Sequence, residues 1–218
     1  KKSEFVCNGL DIKQKPEPNI ENSLKIRNDY FKVNQNELVI ALVGRINSWK
    51  GQQLLLEAFN KMVQKYDNIK LVYLGSAPPN QEFFETDLKN KISEYGLNER
   101  VIIIPFQENI WPFWDSIDIA VVPSTEPEPF GMVAIEAMLS KKPVVAANHG
   151  GLTETVLHNH NGLLFEPNNA ESLAISLEEL INDESKRKQF GENGYHRTIE
   201  HFSLEKHVEK FEAIFEKI

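Results

Sequence analysis

Apolar residues along this chain gather in short unbroken runs, and the first two runs stop at a glycine. Leu38-Val39-Ile40-Ala41-Leu42-Val43 closes at Gly44, and the run over residues 69–74 closes at Gly75. Runs of this length are too short for helices and read as strands buried on both faces. The pattern predicts such strands over 38–43, 69–74, 101–104, 119–122, 143–147 and 162–165. Helical spacing predicts helices over 54–63, 83–95, 111–116 and 130–140, a short helical turn over 151–157, and helices over 170–182, 184–200 and 204–218. Apolar strands alternating with helices specify an α/β fold: a Rossmann-like three-layer sandwich, with a parallel sheet of about six strands covered by helices on both faces. Right-handed crossovers then bring every strand-to-helix loop to the carboxyl edge of the sheet, where open α/β sheets bind ligands. The loops after Val43, Leu74, Ile104, Val122, Ala147 and Phe165 are therefore expected to share one rim. Residues 1–36 are polar, with Lys13-Gln14-Lys15-Pro16-Glu17-Pro18 reading as a linker or irregular arm ahead of a main domain over 37–200.

Composition narrows the class. The 218 residues are 41% hydrophobic and 26% charged, ordinary values for a globular protein. A net charge of −8 argues against a nucleic-acid surface, which needs clustered Lys and Arg. No apolar run approaches the ~20 residues that span a bilayer, and nothing resembles a signal peptide. Cys7 is alone, so an intrachain disulfide or a cysteine metal cluster is excluded, and a reducing cytoplasm is the simplest setting. The chain begins at Lys1 rather than Met and is expected to be a piece of something longer.

Three rim segments carry candidate chemistry. Glu128-Pro129-Phe130-Gly131 leads toward Glu136, putting one carboxylate in a loop and a second on the following helix. That helix is expected to begin near Phe130, with Pro129 at or next to its first position, and no Ser, Thr or Asn caps it. Its first-turn N–H groups are then open to a ligand oxygen. A glycosidase pair sits roughly 5–9.5 Å apart across the scissile bond. Eight helical positions span ~12 Å, so these two acids suit different parts of one extended ligand. Glu136 can take both hydroxyls of a ribose; the bland alternative, a solvated helix carboxylate, fits poorly with apolar Ile135, Ala137 and Met138 beside it.

The first loop, Gly44-Arg45-Ile46-Asn47-Ser48-Trp49-Lys50-Gly51, is neither a P-loop nor a dinucleotide fingerprint. It offers an Arg fork, a Lys point charge and a helix N-terminus, a combination suited to a diphosphate; each cation alone is equally readable as solvated surface. His149-Gly150-Gly151-Leu152-Thr153-Glu154 lets backbone approach a ligand closely, or is a plain turn. His158-Asn159-His160 reads as an ordinary loop. Trp111, Phe113 and Trp114 read as packing, with stacking on a base as the alternative.

In order along the chain, Asn8-Gly9-Leu10-Asp11, Val43-Gly44-Arg45 with Lys50-Gly51, Val122-Pro123-Ser124, the E-x7-E element from Glu128 to Glu136, Pro143-Val144-Val145-Ala146, Gly150-Gly151 with Glu154, and Asn161-Gly162-Leu163-Leu164 resemble one family. It is the C-terminal, donor-binding domain of the GT-B retaining glycosyltransferases, group 1 or family 4 type, which includes bacterial capsule, lipopolysaccharide and mannosyl transferases. The resemblance covers residue 5 onward and implies a nucleotide-diphosphate sugar, UDP- or GDP-linked, as donor, with no cofactor and no metal required. It implies that Arg45 and Lys50 bind the pyrophosphate, and that Glu136 holds the ribose. Glu128 with the backbone of Phe130, Gly131 and Met132 would contact the transferred sugar, Gly44, Gly150 and Gly151 would line the donor site, and the base would lie near Ile104 to Phe106. Pro105 stands where the family commonly has glycine. It further implies an acceptor bound mainly by a domain upstream of this chain, with residues 201–218 packing toward that domain, and no sugar transfer by the present chain alone. The parent would be cytoplasmic or peripheral at the inner membrane face. A GT-B epimerase or phosphorylase, and a nucleotide-binding module without chemistry, are the competing readings; a phosphorylase needs a pyridoxal-binding lysine that the sequence does not reveal.

Overall fold

The computed structural model describes residues 6–216. Residues 1–5 of the predicted arm and 217–218 of the predicted last helix lie outside them. Among the described residues the strands are β1 Leu38–Val43, β2 Ile69–Leu74, β3 Val101–Ile104, β4 Ile119–Val122, β5 Val144–Ala147 and β6 Gly162–Phe165. They form one sheet in the order β3-β2-β1-β4-β5-β6, with every neighbouring pair parallel. Two wings thus wind outward from β1 and β4, and the strand order reverses between them. A crevice at that reversal, outside the carboxyl ends, is where such sheets hold ligands. Register sharpens the placement: Val43 pairs with Leu74 and Leu74 with Ile104, so the first three rim loops leave the sheet at one level.

The helices are α1 Ile20–Asp29, α2 Gln52–Met62, α3 Phe83–Glu94, α4 Trp111–Ser116, α5 Met132–Leu139, α6 Leu152–Thr155, α7 Ala170–Asn182, α8 Glu184–His201 and α9 Leu204–Phe215. α2 buries Leu55, Leu56, Ala58, Phe59 and Met62, a helical stripe that packs on the sheet and against α7. α5 buries almost its whole circumference and packs against α8, which makes Glu136 a polar exception on an apolar helix.

Two expectations require correction. The helix of the E-x7-E element starts at Met132 rather than near Phe130, so Pro129 lies ahead of it. Gly131 sits at φ 89°, in the left-handed region, and that turn ends the loop and aims the helix. The polar arm is not irregular throughout: it contains α1, capped by the Asn19 side chain at the Asn22 amide. α1 packs on α4, and Arg27 donates to Asp118 at 2.9 Å and to the Ser116 carbonyl at 2.9 Å. Earlier in the arm, Leu10 exchanges backbone hydrogen bonds with Phe202 and Leu204 at the corner between α8 and α9.

Candidate nucleotide-sugar site

At the reversal point a cavity of about 540 Å³ opens, lined by Arg45, Lys50, Phe106, Val133, Glu136 and the loop 76–79 among others. The cationic pair and Glu136 therefore face one space, although more than eighty positions separate them in sequence.

Each wall has a local cause. After β1 the Gly44 amide donates to the Leu74 carbonyl and the Ile46 amide to the Ser76 carbonyl, so the first two loops zip together. Asn47 Oδ1 accepts from the amides of Trp49 and Lys50, folding the loop back on itself. The Gln52 side chain donates to the Arg45 carbonyl at 2.8 Å, and the buried Tyr73 hydroxyl donates to the Gln52 carbonyl at 2.8 Å. A chain of hydrogen bonds from the core thus fixes the backbone that carries Arg45. The Arg45 side chain is exposed and forms no ion pair among the described residues.

Lys50 is differently placed. Its ammonium donates to Glu128 Oε1 at 2.7 Å and lies 4.3 Å from the centre of the Trp49 ring. Glu128 is buried at 6% exposure, and the Ser124 hydroxyl donates to the same oxygen. The two acids of the element therefore differ: Glu128 is compensated, Glu136 is not. Glu136 forms no ion pair among the described residues; its side-chain partner is the indole N–H of Trp114 at 3.3 Å. Burial pushes its carboxyl above the usual carboxylate range, and the Trp114 hydrogen bond offsets only part of that.

A pH dependence follows from this asymmetry. A carboxyl raised by burial favours the fold when protonated, below the ordinary carboxylate range, and that contribution is lost as pH rises through the raised value. Glu136→Gln keeps an acceptor for Trp114 and removes the buried charge. It is expected to stabilise the chain by about 1 kcal/mol near neutral pH. The gain should vanish below about pH 4, where glutamate is itself protonated. Thermal melts of both proteins across that range check this; a Glu136→Gln variant less stable at neutral pH contradicts it.

The remaining predicted residues fall around this core. Phe106, 71% exposed, stands at the cavity mouth, its amide held by the Ser76 hydroxyl. Gly44 lines the cavity, whereas Ile104, Phe130, Gly131, Met132, Gly150 and Gly151 are not among its lining residues. Phe130 turns its ring into the core, edge-on to Phe202 at 5.7 Å. The Gly151 amide donates to the Glu128 carbonyl at 2.7 Å, and His149 Nε2 meets the Ser124 carbonyl at 2.8 Å. The His149-Gly150-Gly151 segment thus supports the Glu128 loop from behind. Among the described residues no side chain caps the first turn of α5. The sequence placed the loop after Leu74 on the rim and Ser124 in a motif, but it assigned no role to residues 76–79, to Ser124 or to the N–H of Trp114. Pro78-Pro79 after a buried strand and Gly75 was the available signal for the first; the other two depend on contacts made across the fold.

Residues 25–197 match the family described as Glycosyl transferases group 1. This chain belongs to that family. It is 32% identical over 191 residues to the capsular polysaccharide biosynthesis glycosyltransferase CapM of Staphylococcus aureus, covering 88% of this chain and 49% of CapM. Among solved structures, that of Anabaena HepE in complex with UDP and glucose superposes with a TM-score of 0.90 at 29% identity, over 99% of this chain and 57% of HepE. The C-terminal domain of the group 1 glycosyltransferase LpcC of Francisella tularensis gives a TM-score of 0.78 at 30% identity, over 90% of this chain and all of that domain. The fold is the Rossmann-like unit of the GT-B glycosyltransferases. The chain spans about half the length of the curated relatives it matches. Among the described residues no helix is long and apolar enough to cross a membrane.

Proposed function

We propose that this chain is the donor-binding half of a retaining glycosyltransferase that moves a hexose from a UDP- or GDP-sugar to an acceptor held mainly by an upstream domain. The observation that carries this reading is the convergence of Arg45, Lys50 and Glu136 on one cavity beside the uncapped start of α5. Arg45 and Lys50 bind the diphosphate and neutralise the charge that builds on the departing nucleotide as the glycosidic C–O bond breaks. Glu136 accepts the ribose hydroxyls. Phe106 and the loop 76–79 flank the base. Glu128, anchored by Ser124 and Lys50, faces the sugar, together with the backbone at Phe130, Gly131 and Met132. The complex of HepE with UDP and glucose supports a nucleotide sugar as ligand.

The second half of the cleft is proposed to pack on α9. Leu204, Val208, Phe211 and Phe215 recur at intervals of four, three and four, and each is more than 40% exposed. Such an apolar stripe suits a covering domain. The present chain alone is accordingly expected to show no turnover with UDP- or GDP-sugars and a mixture of acceptors, whereas the two-domain parent transfers sugar and keeps its anomeric configuration. Product analysis by NMR tests both; turnover by these 218 residues alone, or inversion by the parent, contradicts the reading.

A further inference from the structure

We infer that Trp114 is a positioning residue for the donor: its indole N–H holds one oxygen of Glu136 so that the other stays aimed at the ribose hydroxyls. The inference rests on the assignment of Glu136 to the ribose. Trp114 is completely buried and belongs to an aromatic cluster that sequence reading assigned to packing. Packing alone does not explain a buried N–H directed at a carboxylate. A glutamate side chain on a helix has several rotamers, and an unanchored carboxylate samples them. Among the described residues no other side chain donates to Glu136: Arg45 and Lys50 line the same cavity but form no ion pair with it, and Glu108, also in the lining, is acidic. A carboxylate offers about four acceptor positions, so one bond from Trp114 leaves room for both hydroxyls of a ribose. At 3.3 Å the contact is long, as catalytic-site hydrogen bonds often are before ligand binds.

The support beneath Trp114 is built for position. Phe113 is packed edge-on against Tyr30 at 5.2 Å. On the other side, Asp115 is paired with Lys15 at 2.9 Å, with both side chains less than 10% exposed. The Ser116 hydroxyl donates to the Pro112 carbonyl, and Arg27 grips the Ser116 carbonyl. α4 is thus clamped by the N-terminal arm, and a segment far from the rim in sequence sets the position of a group at the rim.

The test compares each of UDP and GDP with its 2′,3′-dideoxy counterpart on the chain and on Trp114→Phe. β-(3-Benzothienyl)alanine at position 114, which keeps the bicyclic shape and lacks the N–H, serves as a second variant if phenylalanine impairs folding. The unaltered chain should bind the ribonucleotide about tenfold or more tightly than the dideoxy form, the scale of a hydrogen bond to a charged group. Both variants should lose most of that ratio, chiefly through weaker ribonucleotide binding, while dideoxy affinity changes less than twofold. A full ratio in a folded variant overturns the positioning role alone. If the unaltered chain shows no preference, the ribose assignment of Glu136 fails, and the inference falls with it.

Discussion

Replacing Lys50 with alanine should lower sugar transfer by the proposed two-domain transferase about 10²–10³-fold, the cost of removing one preorganised group from a developing charge. The same change should also unsettle the fold. Lys50 and Glu128 form a pair with 15% and 6% side-chain exposure, and deleting one partner leaves the other charge buried. Losses of roughly 3–5 kcal/mol are typical of that situation. The two effects separate in a cycle. Adding Glu128→Gln to Lys50→Ala should recover much of the stability, because the orphaned charge is gone and the amide can still accept from Ser124, but it should recover none of the transfer rate. Melting temperatures and initial rates of the four proteins supply the comparison. Additive stability losses would mean that the pair is not the energetic unit the geometry describes.

The second large effect concerns Gly51, and it acts purely through the backbone. Gly51 lies at φ 81°, and a Cβ placed there would come within 2.0 Å of the Pro123 carbonyl oxygen. This is where the loops that carry Lys50 and Glu128 touch, reinforced by the Thr125 amide donating to the Trp49 carbonyl. Gly51→Ala therefore combines a left-handed conformation, costing about 1–2 kcal/mol, with a collision between backbones that neither loop can relieve by a rotamer change. The expected total exceeds about 3 kcal/mol, enough to lower the melting temperature by roughly 10 °C in a chain of this size. Gly96 is the control, since it has φ 69° and a Cβ added to it would meet nothing within 4 Å. Gly96→Ala should show the conformational cost alone. Equal destabilisation at both positions would remove the contact between the loops from the explanation.

How far this arrangement could be read in advance depends on the range of the forces that make it. The strands were legible because a parallel sheet covered on both faces demands continuous apolar residues, and β1 and β2 match residue for residue. The shared rim followed from the strands running parallel, which puts every strand-to-helix loop at the same edge of the sheet. The start of α5 was misplaced because what decides it is Gly131 turning left-handed while Phe130 packs on Phe202, a residue more than seventy positions away. α1 was hidden for a related reason. It buries only Ile26, so its apolar pattern is faint, and its anchor is an ion pair to Asp118 across ninety-one positions. Within the site, Arg45, Lys50 and Glu136 could be named as candidates from residue type and spacing, and they line one cavity. The pairing of Lys50 with Glu128 and of Trp114 with Glu136 could not, because side-chain partners across a sheet are set by packing.

If Arg45 and Glu136 grip two ends of one nucleotide diphosphate, each must contribute to its affinity independently of catalysis. Calorimetric titration of the chain with UDP and GDP, repeated on Arg45→Ala and Glu136→Ala, reads those contributions without an acceptor or a second domain. At least one nucleotide should bind saturably below millimolar concentration, and each substitution should weaken that binding about tenfold or more. No binding at millimolar nucleotide, or two variants that bind like the unaltered chain, would contradict the shared grip.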